Sequence, residues 1–195
     1  MRSTRRPTGP GVQAAAAALE AGGLVVYPTD TLLGIAARAT ERRAVERLAR
    51  VKGRSAAQPI SVAVSSTEEV DALADLSPAA RRFVRRHLPG PYTVLVRPSD
   101  HARVALAPSI LANPAAVGLR VPDHPVAREL ARRVGPITAT SANRHGEPPA
   151  RTVPECRRLF GGDIAVYLPA VPAPSGRPST LVDLTGSAPR AVRRR

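Results

Sequence analysis

Tryptophan is absent from this chain, while lysine, cysteine and methionine occur once each, and aromatic residues make up only 3% of 195 positions. The lone cysteine, Cys156, excludes an internal disulfide and any cysteine-rich metal site, and its place in a helical stretch without a partner motif marks it as a packing residue. Scarce aromatics leave the core to Ala, Val, Leu and Ile, and no aromatics interleave with the arginines to stack bases. No apolar run approaches the ~18–20 residues that span a bilayer. The N-terminal arginines have no apolar stretch behind them, so no signal peptide is read. A cytoplasmic location and no membrane association are expected. His87, His101, His124 and His145 are scattered without metal-ligand spacing, and neither GxxxxGK[ST] nor a GxGxxG after a strand occurs.

What the chain has in excess is arginine. Lys and Arg number 29 against 15 acidic residues, for a net charge of +14. Such a balance suits a polyanion such as nucleic acid, nucleotide or phosphate, although an Ala-, Arg- and Pro-rich composition produces the same number without a partner. Lys52 is the single lysine, in Arg50-Val51-Lys52-Gly53-Arg54-Ser55. A lysine offers one compact, flexible point charge where arginine offers a planar fork. Position 52 therefore reads either as a point contact to a phosphate oxygen or as an accident of composition.

The length suits one domain, with residues 1–11 a flexible basic N-terminus and 12–193 the folded unit. Helices are predicted over Gln13–Ala21, Glu41–Val51, Thr67–Leu73, Ser77–His87 (Ser77 as N-cap, Pro78 first in the helix), Val126–Val134 and Val153–Phe160. Strands are predicted over Leu24–Tyr27, Ile60–Val64, Tyr92–Arg97, Ala116–Val121, Ile137–Thr140, Ile164–Leu168 and Leu181–Leu184, with a last short one at Ala191-Val192. Their alternation predicts an α/β fold, one twisted mixed sheet with flanking helices.

Ligands in open α/β sheets collect at the carboxyl ends of strands. Small polar and cationic residues gather at such ends: Thr29, Asp30 and Thr31; Lys52 and Arg54; Thr93; Arg120; Ser141 and Asn143; Ser179 and Thr180. Cations for phosphates, hydroxyls for a small polar ligand and no strong nucleophile suit phosphoryl chemistry, which asks mainly for positioning and charge stabilisation. Taken singly, each residue is equally a turn, a cap or a surface charge.

Five stretches in this order, YPTDTLLGIAARA, KGRSAAQPI, LPGPYTVLV, VGLRVPDHP with PITATSANRHGEP, and PSTLVDL, resemble the YrdC/YwlC family of threonylcarbamoyl-AMP synthases from about Gly23 to Arg193. The family's KxR…SxN signature is matched by Lys52, Arg54, Ser141 and Asn143. The resemblance implies a YrdC-like fold whose concave basic face holds ATP and L-threonine. It implies synthesis of L-threonylcarbamoyladenylate from threonine, bicarbonate or CO2 and ATP, with Mg2+ on the triphosphate. By position, Thr31, Arg120, Ser141 and Ser179 match the threonine side, and Arg54, Gln58, Asn143, Arg193 and Ala116 (through its backbone) match the nucleotide side, with Lys52 facing the phosphates. Hand-over to the tRNA threonylcarbamoyltransferase complex and contact with tRNA or double-stranded RNA are further expectations. The pattern departs at Leu32-Leu33, where the family has an aliphatic residue and Tyr, at Ser55 in place of Pro, and at Ile35-Ala36-Ala37. These departures leave two alternatives: a carbamoyl-phosphate-using relative, and a non-catalytic RNA-binding module.

Overall fold

The computed structural model of the protein describes residues 9–55 and 58–192. The first helix, α1 (Pro10–Glu20), opens with proline at its first turn, where the missing N–H costs nothing. It thus takes in Pro10 and Gly11, which the sequence assigns to the flexible arm; the rest of that arm, up to residue 8, lies outside the described residues. Two strands follow, β1 (Val25–Pro28) and β2 (Leu33–Ala36), paired antiparallel through the turn that carries Thr29, Asp30 and Thr31. The pairing makes a strand of a stretch read only as a polar turn.

Next comes α2 (Arg42–Lys52), closed by Gly53 in the left-handed region at φ 65°, then β3 (Val62–Ala63). The helix α3 (Thr67–Leu73), strand β4 (Ala74–Asp75), helix α4 (Pro78–His87) and strand β5 (Tyr92–Pro98) follow. Ser66 and Ser77 cap α3 and α4 by accepting from Glu69 N and Ala80 N. A short helix absent from the expectations, α5 (Asp100–Ala105), precedes β6 (Val117–Arg120) and α6 (Pro125–Val134). The strand expected over Ile137–Thr140 is two, β7 (Ile137–Thr138) and β8 (Thr140–Ser141). The chain ends with α7 (Val153–Phe160), β9 (Val166–Tyr167), β10 (Thr180–Asp183) and β11 (Arg190–Val192).

The single expected sheet is two. A four-stranded sheet runs β8-β2-β1-β9, and a larger mixed sheet runs β11-β10-β5-β6-β3-β7, with β4 on β5. The split comes at Ala139. Its N–H donates to Ser61 O at 2.7 Å, which extends the β3–β7 ladder by one residue, and from Thr140 on the chain pairs as β8 with β2.

Both faces of β1 are covered. Val26, with the preceding Leu24, joins the main core, while Val25 and Tyr27 pack with α1 and α6 in a second apolar cluster. A period-2 strand buried on both sides reads as one continuous apolar run, as this one does. The core is aliphatic as composition requires, with Tyr27 and Phe160 its buried aromatics, and Cys156 is fully buried in it.

Candidate active site

A cavity of about 910 Å3 lies where the two sheets meet, lined by β2 and β8 from one and by β5, β6, β10 and β11 from the other. At one end is the turn after β1. Thr29 Oγ1 accepts from Thr31 N and Leu32 N, each at 3.1 Å, and donates to Leu32 O at 2.7 Å. That knot holds Thr31 Oγ1 3.0 Å from Arg120 Nη1, and Arg120 Nη2 bonds Asp30 Oδ1 at 2.8 Å. Arg120 is only 6% exposed, so its charge needs the Asp30 carboxylate beside it. Asp30 belongs to the polar cluster legible in the sequence, but only the structure shows its work. Opposite, Thr93 Oγ1 and Ser179 Oγ share a hydrogen bond of 2.8 Å. Arg120 and Thr93 occupy adjacent strand ends because β5 and β6 are antiparallel, with Val94 opposite Leu119. β6 approaches closely here: a Cβ on Gly118 would fall 2.6 Å from Ser61 Oγ, so any larger residue would force the Ser61 hydroxyl to move.

At the other end, α2 delivers Lys52 and Arg54. The left-handed Gly53 turns the chain so that these two diverge. Arg54 lines the cavity and donates to Pro59 O at 2.9 Å. Lys52 is 3% exposed and does not line the cavity. Its ammonium donates to Ser141 O at 2.5 Å, to Asn143 O at 2.7 Å and to Asn143 Oδ1 at 3.4 Å, while Lys52 O accepts from His145 N. The cation therefore stands behind the Ser141–Asn143 turn and holds it up. Burial, followed by the charge of Arg54, pushes the ammonium pKa down to about 8. In front, Ser141 Oγ donates to Asn143 Oδ1, and Asn143 Nδ2 donates to the Arg144 and Glu147 carbonyls.

Of the residues singled out by sequence, Thr31, Arg54, Arg120, Ser141, Asn143 and Ser179 share one cavity. Gln58 is outside its lining, with Oε1 buried and no hydrogen-bond partner among the described residues. Ala116 precedes β6, at the opposite end of that strand from Arg120, and is also outside the lining. Arg193 lies outside the described residues, next to Ala191 and Val192, which do line the cavity. Tyr27, Ser61, Thr140, Glu147 and Leu181 complete walls that sequence reasoning missed, because only the meeting of two sheets brings them together. A visible signal for Ser61 was its place on the strand directly after the KGR stretch. Tyr27 donates to Thr138 O at 3.0 Å, and burial raises its pKa to about 12, so it is a neutral donor.

A basic, hydroxyl-lined cavity of nucleotide size at the junction of two mixed sheets defines a YrdC-like α/β domain. The chain belongs to the Sua5/YciO/YrdC family: the family model Sua5_yciO_yrdC, described as telomere recombination, matches residues 17–195. A Mycobacterium tuberculosis (H37Rv) protein provisionally named threonylcarbamoyl-AMP synthase is 40% identical over 184 residues, 94% of this chain and 83% of its own. The threonylcarbamoyl-AMP synthase of Methylobacillus flagellatus is 35% identical over 168 residues, 85% of this chain and 91% of its own. Among solved structures, P. abyssi Sua5 complexed with L-threonine superposes with a TM-score of 0.82 at 30% identity over 93% of this chain, which spans 53% of that one. The full-length HypF in its phosphate- and nucleotide-bound form gives 0.80 at 26% identity, covering 96% of this chain and 29% of its own.

Proposed function

We propose that this chain forms L-threonylcarbamoyladenylate and pyrophosphate from L-threonine, bicarbonate or CO2 and ATP, for N6-threonylcarbamoyladenosine modification of tRNA. The observation that carries the reading is one cavity holding Thr31, Arg120 and Ser179 at one end and Arg54, Ser141 and Asn143 toward the other. The named synthases at 35–40% identity and the threonine-bound Sua5 support it.

Arg120 with Thr31, Thr93 and Ser179 suits a small molecule bearing a carboxylate and a hydroxyl. Because Asp30 already neutralises Arg120 at 2.8 Å, this end favours a monoanionic carboxylate over a doubly charged phosphate. That favours threonine over carbamoyl phosphate, the reading that the leucine at position 33 raises. In the reaction, the threonine amine adds to CO2, forming a C–N bond and releasing a proton. A carbamate oxygen then attacks the α-phosphorus as the bond from that phosphorus to the bridging oxygen breaks, and pyrophosphate leaves. Arg54 and the Ser141–Asn143 turn hold the nucleotide so that attack is in line.

No group of three or more His, Cys, Asp or Glu among the described residues could hold a metal, and Glu147 is the one carboxylate among the cavity-lining residues described. This fits Mg2+ that arrives with ATP and is held chiefly by phosphate oxygens, with Glu147 the protein carboxylate within the same cavity. When bound, it neutralises triphosphate charge. Contact with tRNA, which the +14 charge favours, and hand-over of the labile adenylate to the threonylcarbamoyltransferase complex belong to the same proposal. No helix among the described residues is long and apolar enough to cross a membrane, and the proposed site of action is the cytoplasm. The test is pyrophosphate release from ATP, threonine and bicarbonate. Release that depends on threonine supports the reading, and release driven equally by carbamoyl phosphate contradicts it.

A further inference from the structure

Residues 169–178 join β9 to β10 as a surface strap. Most of its positions are exposed, and Ala170 packs against the core. It is held by its backbone: Ser175 N donates to Asp30 O at 3.1 Å and Gly176 N to Thr31 O at 2.8 Å, with Ser175 Oγ on Thr31 O at 3.4 Å. From the far side, His124 Nε2 meets Pro172 O at 3.1 Å. The strap then runs directly into Pro178 and Ser179 on the cavity wall.

His124 is 1% exposed and has a definite tautomer. Its Nδ1 accepts from Val126 N at 3.2 Å, capping α6. The proton is therefore on Nε2, which donates to the Pro172 carbonyl. One imidazole thus ties a helix start to the strap, and the strap covers the turn that sets Thr31 and orients Arg120.

We propose that His124 is a positioning residue for the threonine end of the cavity, latching residues 169–178 over the Asp30–Thr31 turn and so fixing Ser179. The positioning claim rests on the threonine reading above, whereas the latch does not. A segment with exposed backbone hydrogen bonds and few apolar contacts opens at low cost, so a single buried side-chain tie has leverage on it. The charged groups facing the ring are Asp30 from the turn and Asp123 and Arg128 from the α6 flank. Burial outweighs the carboxylates and lowers the His124 pKa below its ordinary 6.5. Protonating Nδ1 would set a donor against the Val126 N–H. Protonation would therefore cost the Val126 cap, while the Nε2–H bond to Pro172 O is kept by the imidazolium as by the neutral ring.

The test is His124→Asn in the full chain. Asparagine keeps an oxygen for the Val126 cap but is too short for Pro172 O. Hydrogen exchange of peptides covering 169–178, without substrates, is expected to rise about five-fold, the loss of one hydrogen bond, with the melting temperature nearly unchanged. The KM for threonine should rise more than kcat falls. Equal strap exchange in wild type and variant overturns the latch. A loosened strap with an unchanged threonine KM overturns the positioning role. Because exchange is read without substrate, failure of the synthase reading leaves the latch decided on its own.

Discussion

The ammonium of Lys52 lies 2.7 Å from the carbonyl oxygen of Asn143, a residue 91 positions later, and 2.5 Å from that of Ser141. The two halves of the KxR…SxN signature are thus one unit, a buried lysine bracing the turn that faces the cavity. Its converging acceptors surround a single nitrogen, which a planar guanidinium cannot match. Lys52→Arg is expected to lose most adenylate synthesis, by about 100-fold or more, because the turn is displaced.

Lys52→Met separates support from stability. Losing the donors to two carbonyls costs about 2–3 kcal/mol, while removing a cation whose pKa is depressed to about 8 returns a similar amount. Thermal unfolding should therefore change by less than about 2 kcal/mol, whereas pyrophosphate release should fall as far as in Lys52→Arg. A variant that keeps its activity would contradict the bracing role.

The same lysine can be titrated directly, since it is the only one in the chain. A lysine-selective carbon label gives one side-chain NMR signal, expected to titrate near pH 8. The unfolded chain, at about 10.4, holds more protons between those values, so this group's contribution to stability rises with pH from about 8 and levels off above about 10.4. A midpoint above pH 10 would place the ammonium in solvent.

Asp30→Asn tests charge matching at Arg120. With its 2.8 Å counterion gone, Arg120 loses a fixed orientation and gains a net charge. The KM for threonine should rise about ten-fold or more, that for ATP should change little, and inorganic phosphate should become a stronger inhibitor. Steady-state kinetics with phosphate titration reads all three. An unchanged threonine KM would remove Asp30 from the specificity argument.

Much of this architecture was legible in the residues. Ser77-Pro78 announced α4, Gly53 marked the end of α2, and the apolar run at Leu24–Tyr27 was a strand because both of its faces are buried. Thr31, Arg120 and Ser179 could be gathered by resemblance. The split into two sheets could not, because it depends on how the chain from Ile137 to Ser141 divides its hydrogen bonds between β3 and β2, a tertiary matter with no local pattern. Nor could the direction of Lys52, since a sequence shows a cation but not whether phosphate or backbone carbonyls receive it. His124 looked like one scattered histidine until its two nitrogens were seen to join α6 to the strap. Leu33, a departure from the family's tyrosine, is 1% exposed and shared between core and cavity wall, which an aliphatic chain tolerates.

The central claim is that this cavity joins threonine, CO2 and ATP. The most direct measurement is mass spectrometry of the nucleotide product after incubation with ATP, threonine and isotopically labelled bicarbonate. The expected product is threonylcarbamoyl-AMP carrying the label in its carbamoyl carbon, formed together with pyrophosphate. An unlabelled adenylate that appears only when carbamoyl phosphate is supplied, or no adenylate from a folded protein, would contradict the account.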